Sequence, residues 1–87
     1  MRPLNYAMLK YFTVIKEADV EQVMDYLKEE YSGFRTFKKK SMIEALMTAE
    51  ANGILQETRY ELDSKGELKV YYSATDDGKK TIDKYIN

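Results

Sequence analysis

The sequence predicts a mainly α domain carrying one small antiparallel β-hairpin, in the order α-α-α-β-β-α. Three observations predict it. Apolar residues recur at helical spacing through the first half of the chain. Two runs rich in aromatic and β-branched residues, Ile54 to Tyr60 and Leu68 to Ala74, flank the turn Asp63-Ser64-Lys65-Gly66. A single hairpin does not make a self-sufficient sheet, so these strands must lean on the helices. The length of 87 residues fits one domain, 1–87, with no room for a second core.

Pro3 opens the first helix, where its fixed φ and missing N–H are tolerated. The spacing carries that helix from Leu4 to about Lys16. Leu4, Ala7, Met8, Tyr11, Val14 and Ile15 share one face, with Asn5, Lys10, Thr13 and Lys16 opposite. Tyr6 and Leu9 fall on the polar side, either as scattered surface groups or as contacts for a second chain. Asp19 to Gln22 has the form of a capping box and starts the second helix. Its stripe is Val20, Val23, Met24, Leu27 and Tyr31, and Ser32-Gly33 ends it, with Gly33 expected in the left-handed region.

The third helix has two possible starts, capped by Thr36 or, with better capping-box form, by Ser41. Met42, Leu46, Ala49 and Gly53 share its inner face, and Asn52-Gly53 stops it. In the second strand alternation puts Leu68, Val70, Tyr72 and Ala74 inward and Lys69, Tyr71 and Ser73 outward. Thr75 or Asp76 then caps a short last helix, Asp77 to about Ile86, with Ile82, Tyr85 and Ile86 as its apolar edge.

Composition removes several kinds of chemistry. The chain has no cysteine and no histidine, which takes away thiolate and imidazole metal sites and the usual neutral-pH base. No nucleophile–base pair, glycine-rich phosphate loop or cofactor fingerprint is present, so no enzyme, no cofactor and no metal site is expected. The apolar stretches are too short to span a bilayer, and a cytoplasmic protein is the default. The net charge of −1 hides a segregated pattern. Residues 1–16 carry +3, residues 17–30 carry −5, and Arg35, Lys38, Lys39 and Lys40 make the one concentrated positive patch.

Three helices followed by a hairpin and a closing helix describe a winged helix-turn-helix. Within it, Ala45 to Ile82 resembles the end of the PadR- and MarR-type transcriptional regulators. Those carry a leucine-rich recognition helix ending in Gly-Leu-Ile, a wing, and a closing Tyr-x-Leu-Thr-x-x-Gly. Here the matching residues are Leu46, Ala49, Gly53-Ile54-Leu55, the hairpin, and Tyr72 to Gly78, with Ala74 in place of the leucine.

The resemblance implies a small transcriptional regulator that binds double-stranded DNA, with some sequence specificity, by docking the third helix in the major groove. Arg35, Lys38, Lys39, Lys40, Ser41, Glu44 and Thr48 would then face the duplex, and Arg59, Lys65 and Lys69 would be wing contacts. One short helix reads few base pairs, so a homodimer is expected. Its candidate surface is Tyr6, Leu9, Ile82 and Tyr85, and Leu9→Glu is expected to give folded monomers. The alternative is a winged-helix module that binds a protein partner and no nucleic acid. The acidic second helix and the mixed-sign wing point that way. Isolation of the positive patch from Lys65 and Arg59 by Glu44, Glu57 and Asp63 would favour it.

Overall fold

The computed structural model describes all residues, 1–87. Its elements are α1 (Leu4–Tyr11), α2 (Val20–Tyr31), α3 (Lys39–Ala51), β1 (Leu55–Leu62), β2 (Leu68–Ala74) and α4 (Asp76–Tyr85). The expected order holds, and the chain is a winged helix.

α1 stops a turn earlier than the apolar spacing suggests. The β-branched run Thr13-Val14-Ile15 is a poor helix continuation. The Thr13 hydroxyl also donates to the Lys10 carbonyl at 2.7 Å, competing with the helix ladder. Val14 is therefore exposed, and Phe12, off the predicted stripe, becomes a fully buried side chain at the centre of the core. Burying a phenylalanine is worth about 1.5–3 kcal/mol.

Ending α1 early frees the chain to extend toward the hairpin. Ala18 pairs with Tyr72 in an isolated antiparallel bridge, each amide donating to the other's carbonyl at 2.9 Å. The wing is thus tied to the helices along the far side of β2, a link the sequence reading lacks. Next to it Asp19 caps α2 as expected. Its carboxylate accepts from the Gln22 amide at 2.9 Å, and the Gln22 side chain accepts from the Asp19 amide at 3.1 Å.

Two ends differ from expectation. Gly33 is not left-handed; the positive φ values belong to Gly53 (76°) and Gly66 (77°), which turn α3 into β1 and close the hairpin. Lys38, not Thr36 or Ser41, takes the N-cap position of α3, and no side chain caps it. The connection into α3 is pinned by aromatics instead. Phe34 sets its edge against Tyr31 at 4.9 Å between ring centres, and the half-buried Phe37 packs on the core.

The hairpin register runs from Leu55 opposite Ala74 to Leu62 opposite Leu68, with a bulge at Thr58 between Glu57 and Arg59. Simple alternation therefore fails in β2. Tyr72 packs into the core as expected, but Tyr71 is also buried, because the Arg59 guanidinium lies 3.7 Å over its ring. Leu68, toward the hairpin turn, is exposed. Thr75 caps α4 by accepting from the Gly78 amide at 2.8 Å.

Candidate functional site

The head of α3 collects the positive charge. Arg35, Lys38 and Lys40 are exposed and have no acidic partner, whereas Lys39 reaches Glu21 on α2 at 3.4 Å. No side chain caps α3, so its first-turn amides have no side-chain acceptor at this end of the helix. Glu44 and Thr48 lie on the exposed face below, with Ser41 half-buried beside them. The Thr48 hydroxyl already donates to the Glu44 carbonyl at 2.9 Å, so it keeps only acceptor capacity for a base or phosphate. Ile43 and Met47 are also exposed, on the side of α3 that looks toward the wing.

The wing offers less positive charge than its composition suggests. Arg59 bonds the Glu17 carboxylate at 2.6 Å and also pairs with Glu61. Those bonds hold its guanidinium well above the ordinary arginine range, the bond to Glu17 contributing most, and they depress the Glu17 carboxyl. Lys69 lies 3.7 Å from the buried Asp19 carboxylate and 3.8 Å from Glu21, and the Asp19 charge raises its pKa. Lys65, at the hairpin turn, is the one wing cation named above without an acidic partner.

Between α3 and the wing runs a cleft of about 270 Å³. Its walls include Ile43, Leu46, Met47, Leu68, Val70 and Tyr72, and its rim includes Asp19, Glu21, Glu50, Glu57, Asp63 and Glu67. Glu50 is half-buried; desolvation, with the adjacent Glu57 charge second, lifts its carboxyl above the usual range. The Tyr60 hydroxyl donates to Glu57 at 3.0 Å. This acidic cleft separates the α3 cations from Lys65 and Arg59, so the positive patch is not continuous across the molecule.

The four residues proposed for a dimer surface separate by burial. Tyr6 and Tyr85 are exposed, but Ile82 is only 1% exposed and belongs to the chain's own core. Leu9 is half-buried against the core, so a charge there would disturb the fold rather than only a contact. Tyr6 and Tyr85 instead border an open groove that also takes in Val14, Tyr11 and Tyr26, the last two rings stacked 4.1 Å apart. Val14 and Tyr26 were missed: Val14 through the overlong first helix, Tyr26 because it stands outside the stripe of the second.

No protein-family model and no curated protein matches this chain. Solved structures do. PadR of Bacillus subtilis, crystallised in complex with operator DNA, superposes with a TM-score of 0.77 at 26% identity over 99% of this chain. A PadR-like transcriptional regulator of Bacillus cereus gives 0.69 at 18% identity over 93%. A transcriptional regulator of Clostridium thermocellum gives 0.70 at 15% identity over 93%. The domain is PadR-like. It spans about half of the B. subtilis chain (48%) and about three-quarters of the other two (75% and 74%).

Proposed function

We propose that the chain is a DNA-binding transcriptional regulator that presents the head of α3 to a duplex. The observation that carries this reading is the trio Arg35, Lys38 and Lys40, exposed and unpaired around the uncapped start of α3. Cations beside free helix amides suit phosphate oxygens. The likeness to a PadR crystallised in complex with operator DNA supports DNA binding. Lys39, Ser41, Glu44 and Thr48 complete the surface, with Lys65 as the wing's contact. Arg59 and Lys69 act chiefly in holding the wing to Glu17 and Asp19. The exposed α3 face holds no arginine for guanine and no amide side chain for adenine, so affinity rests mostly on phosphates.

A homodimer joined through the groove of Tyr6, Tyr26 and Tyr85 would give two such helices and a longer site. Cytoplasmic DNA would be its target.

The test is anisotropy of a labelled mixed-sequence duplex titrated with protein at low and at near-physiological salt. Binding should weaken steeply with salt and fall further in Lys38→Ala/Lys40→Ala. No binding at low salt would end this reading.

One observation favours a second reading, a protein-interaction module. The cleft between α3 and the wing is predominantly acidic, and its two lysines, Lys39 and Lys69, are paired with Glu21 and Asp19.

A further inference from the structure

We infer that the cleft between α3 and the wing is a docking site for a basic peptide segment of a partner protein, seated through one apolar side chain with lysine or arginine on either side. The inference rests on the protein-interaction reading and gives it a location and a chemistry.

The shape comes first. At about 270 Å³ the cleft falls just below the ~300–1,000 Å³ that encloses drug-sized ligands. It is also too small for a helix of ~10–12 Å diameter, but adequate for a side chain or two of an extended segment. Its floor is apolar and remains open to water. Met47 on α3 is 55% exposed and Leu68 on β2 is 59% exposed, and both line the cleft with Ile43 and Val70. Large aliphatic groups gathered at one place, with polar groups around them, mark an interaction surface more than scattered exposure does.

The charge selects the partner. Six carboxylates stand at the rim against two lysines, Lys39 and Lys69, and both lysines are already engaged by Glu21 or Asp19. The remaining field is negative and excludes phosphate. Near the base of the wing, Glu50 and Glu57 repel each other beside the Tyr60 and Tyr72 rings. A guanidinium or ammonium placed there would relieve the repulsion and face two aromatic rings. Toward the wing tip, Asp63 and Glu67 offer a second cation position, with the apolar floor between the two. An apolar anchor flanked by cations matches that order.

The test is selection of a random displayed-peptide library on the full chain and, in parallel, on the Glu50→Lys/Glu57→Lys variant, both checked for folding by circular dichroism. The expected winners on the wild type carry an apolar residue between Lys or Arg residues and are absent from the variant. A synthesised winner should shift the amide resonances of Ile43, Met47, Leu68 and Val70. Its affinity should drop by about tenfold or more in Glu57→Lys. If the double variant misfolds, Leu68→Ser at the exposed wing tip serves in its place, with the same loss expected.

Winners that bind the variant equally, or that shift the tyrosine groove instead, overturn the cleft and leave protein binding standing. No consensus at all overturns both. Complete displacement of the winner by spermidine would show charge attraction without a seat, and would also overturn the cleft. So would cleft shifts that grow with protein concentration alone, since the occupant would then be a second copy.

Discussion

Gly78 lies against the main-chain carbonyl of Ile54, so close that a Cβ at position 78 would collide with it. The same carbonyl accepts from the Thr75 amide at 3.0 Å, while the Thr75 hydroxyl donates to the Gly53 carbonyl at 2.8 Å. The first turn of α4 is thereby clamped onto the corner where α3 becomes β1. This contact gives the Thr-x-x-Gly ending a physical reason: threonine caps and ties, glycine permits the approach. Gly78→Ala should lower stability by about 1–3 kcal/mol, as overpacking does. Gly33→Ala, with open space around it and no positive φ to satisfy, should be neutral or stabilising by about 0.5 kcal/mol. Urea unfolding of the two variants makes the comparison.

Glu50 and Glu17 predict opposite pH effects. Desolvation and Glu57 raise the Glu50 pKa in the fold, so its ionised form opposes folding near neutrality, and that penalty disappears as pH falls through the raised value. Glu50→Gln should therefore melt higher than wild type at pH 7 and converge with it in acid. The bond from Arg59 lowers the Glu17 pKa, so its contribution is present above the ordinary glutamate range and is lost as pH falls through the depressed value. Glu17→Gln should melt lower at pH 7 and also converge in acid. Thermal melts across that range check both signs.

Two cations of equal charge should behave differently toward DNA. Lys40→Ala removes an unpaired side chain at the head of α3 and should reduce the salt slope of duplex binding by about 1. Arg59→Leu removes the bonds to Glu17 and Glu61 and the cover over Tyr71. It should lower the melting temperature while leaving the salt slope close to wild type. Anisotropy and melting measured on the same preparations distinguish the roles.

Tyr85→Glu tests the proposed dimer surface without touching the core, because Tyr85 is 70% exposed. Sedimentation should show monomers with an unchanged melting profile. Leu9→Glu is predicted instead to cost roughly 2 kcal/mol or more by placing a charge against the core.

The parts of the fold that were legible in the sequence are those fixed by local chemistry. Asp19 and Gln22 lie three residues apart and satisfy each other's backbone, and Gly53 and Gly66 adopt conformations that other residues resist. What escaped depends on partners far along the chain. Phe12 stood outside the predicted apolar stripe because the end of α1 is set by where Ala18 must go. Tyr71 looked exposed because neither the bulge at Thr58 nor the guanidinium of Arg59 can be read from alternation. The α3 cations were legible as a cluster, but not which of them are free: Lys39 is drawn to Glu21, while Lys38 and Lys40 are not. Ile43 and Met47 are exposed on the wing side of α3, although apolar residues on a helix usually belong to its inner face.

The bridge between Ala18 and Tyr72 also has a meaning for synthesis. A ribosome delivers the chain N-terminal side first, at ~5–20 residues per second. α1, α2 and α3 can coil as they emerge, but the backbone of Ala18 and the inner faces around Phe12 and Val23 have no sheet to meet until β2 is out. The nascent helices must therefore wait with part of their apolar surface wet, accessible to chaperones and proteases. The arrival of Tyr72 closes that interval, and the wing is the latch on the newborn domain.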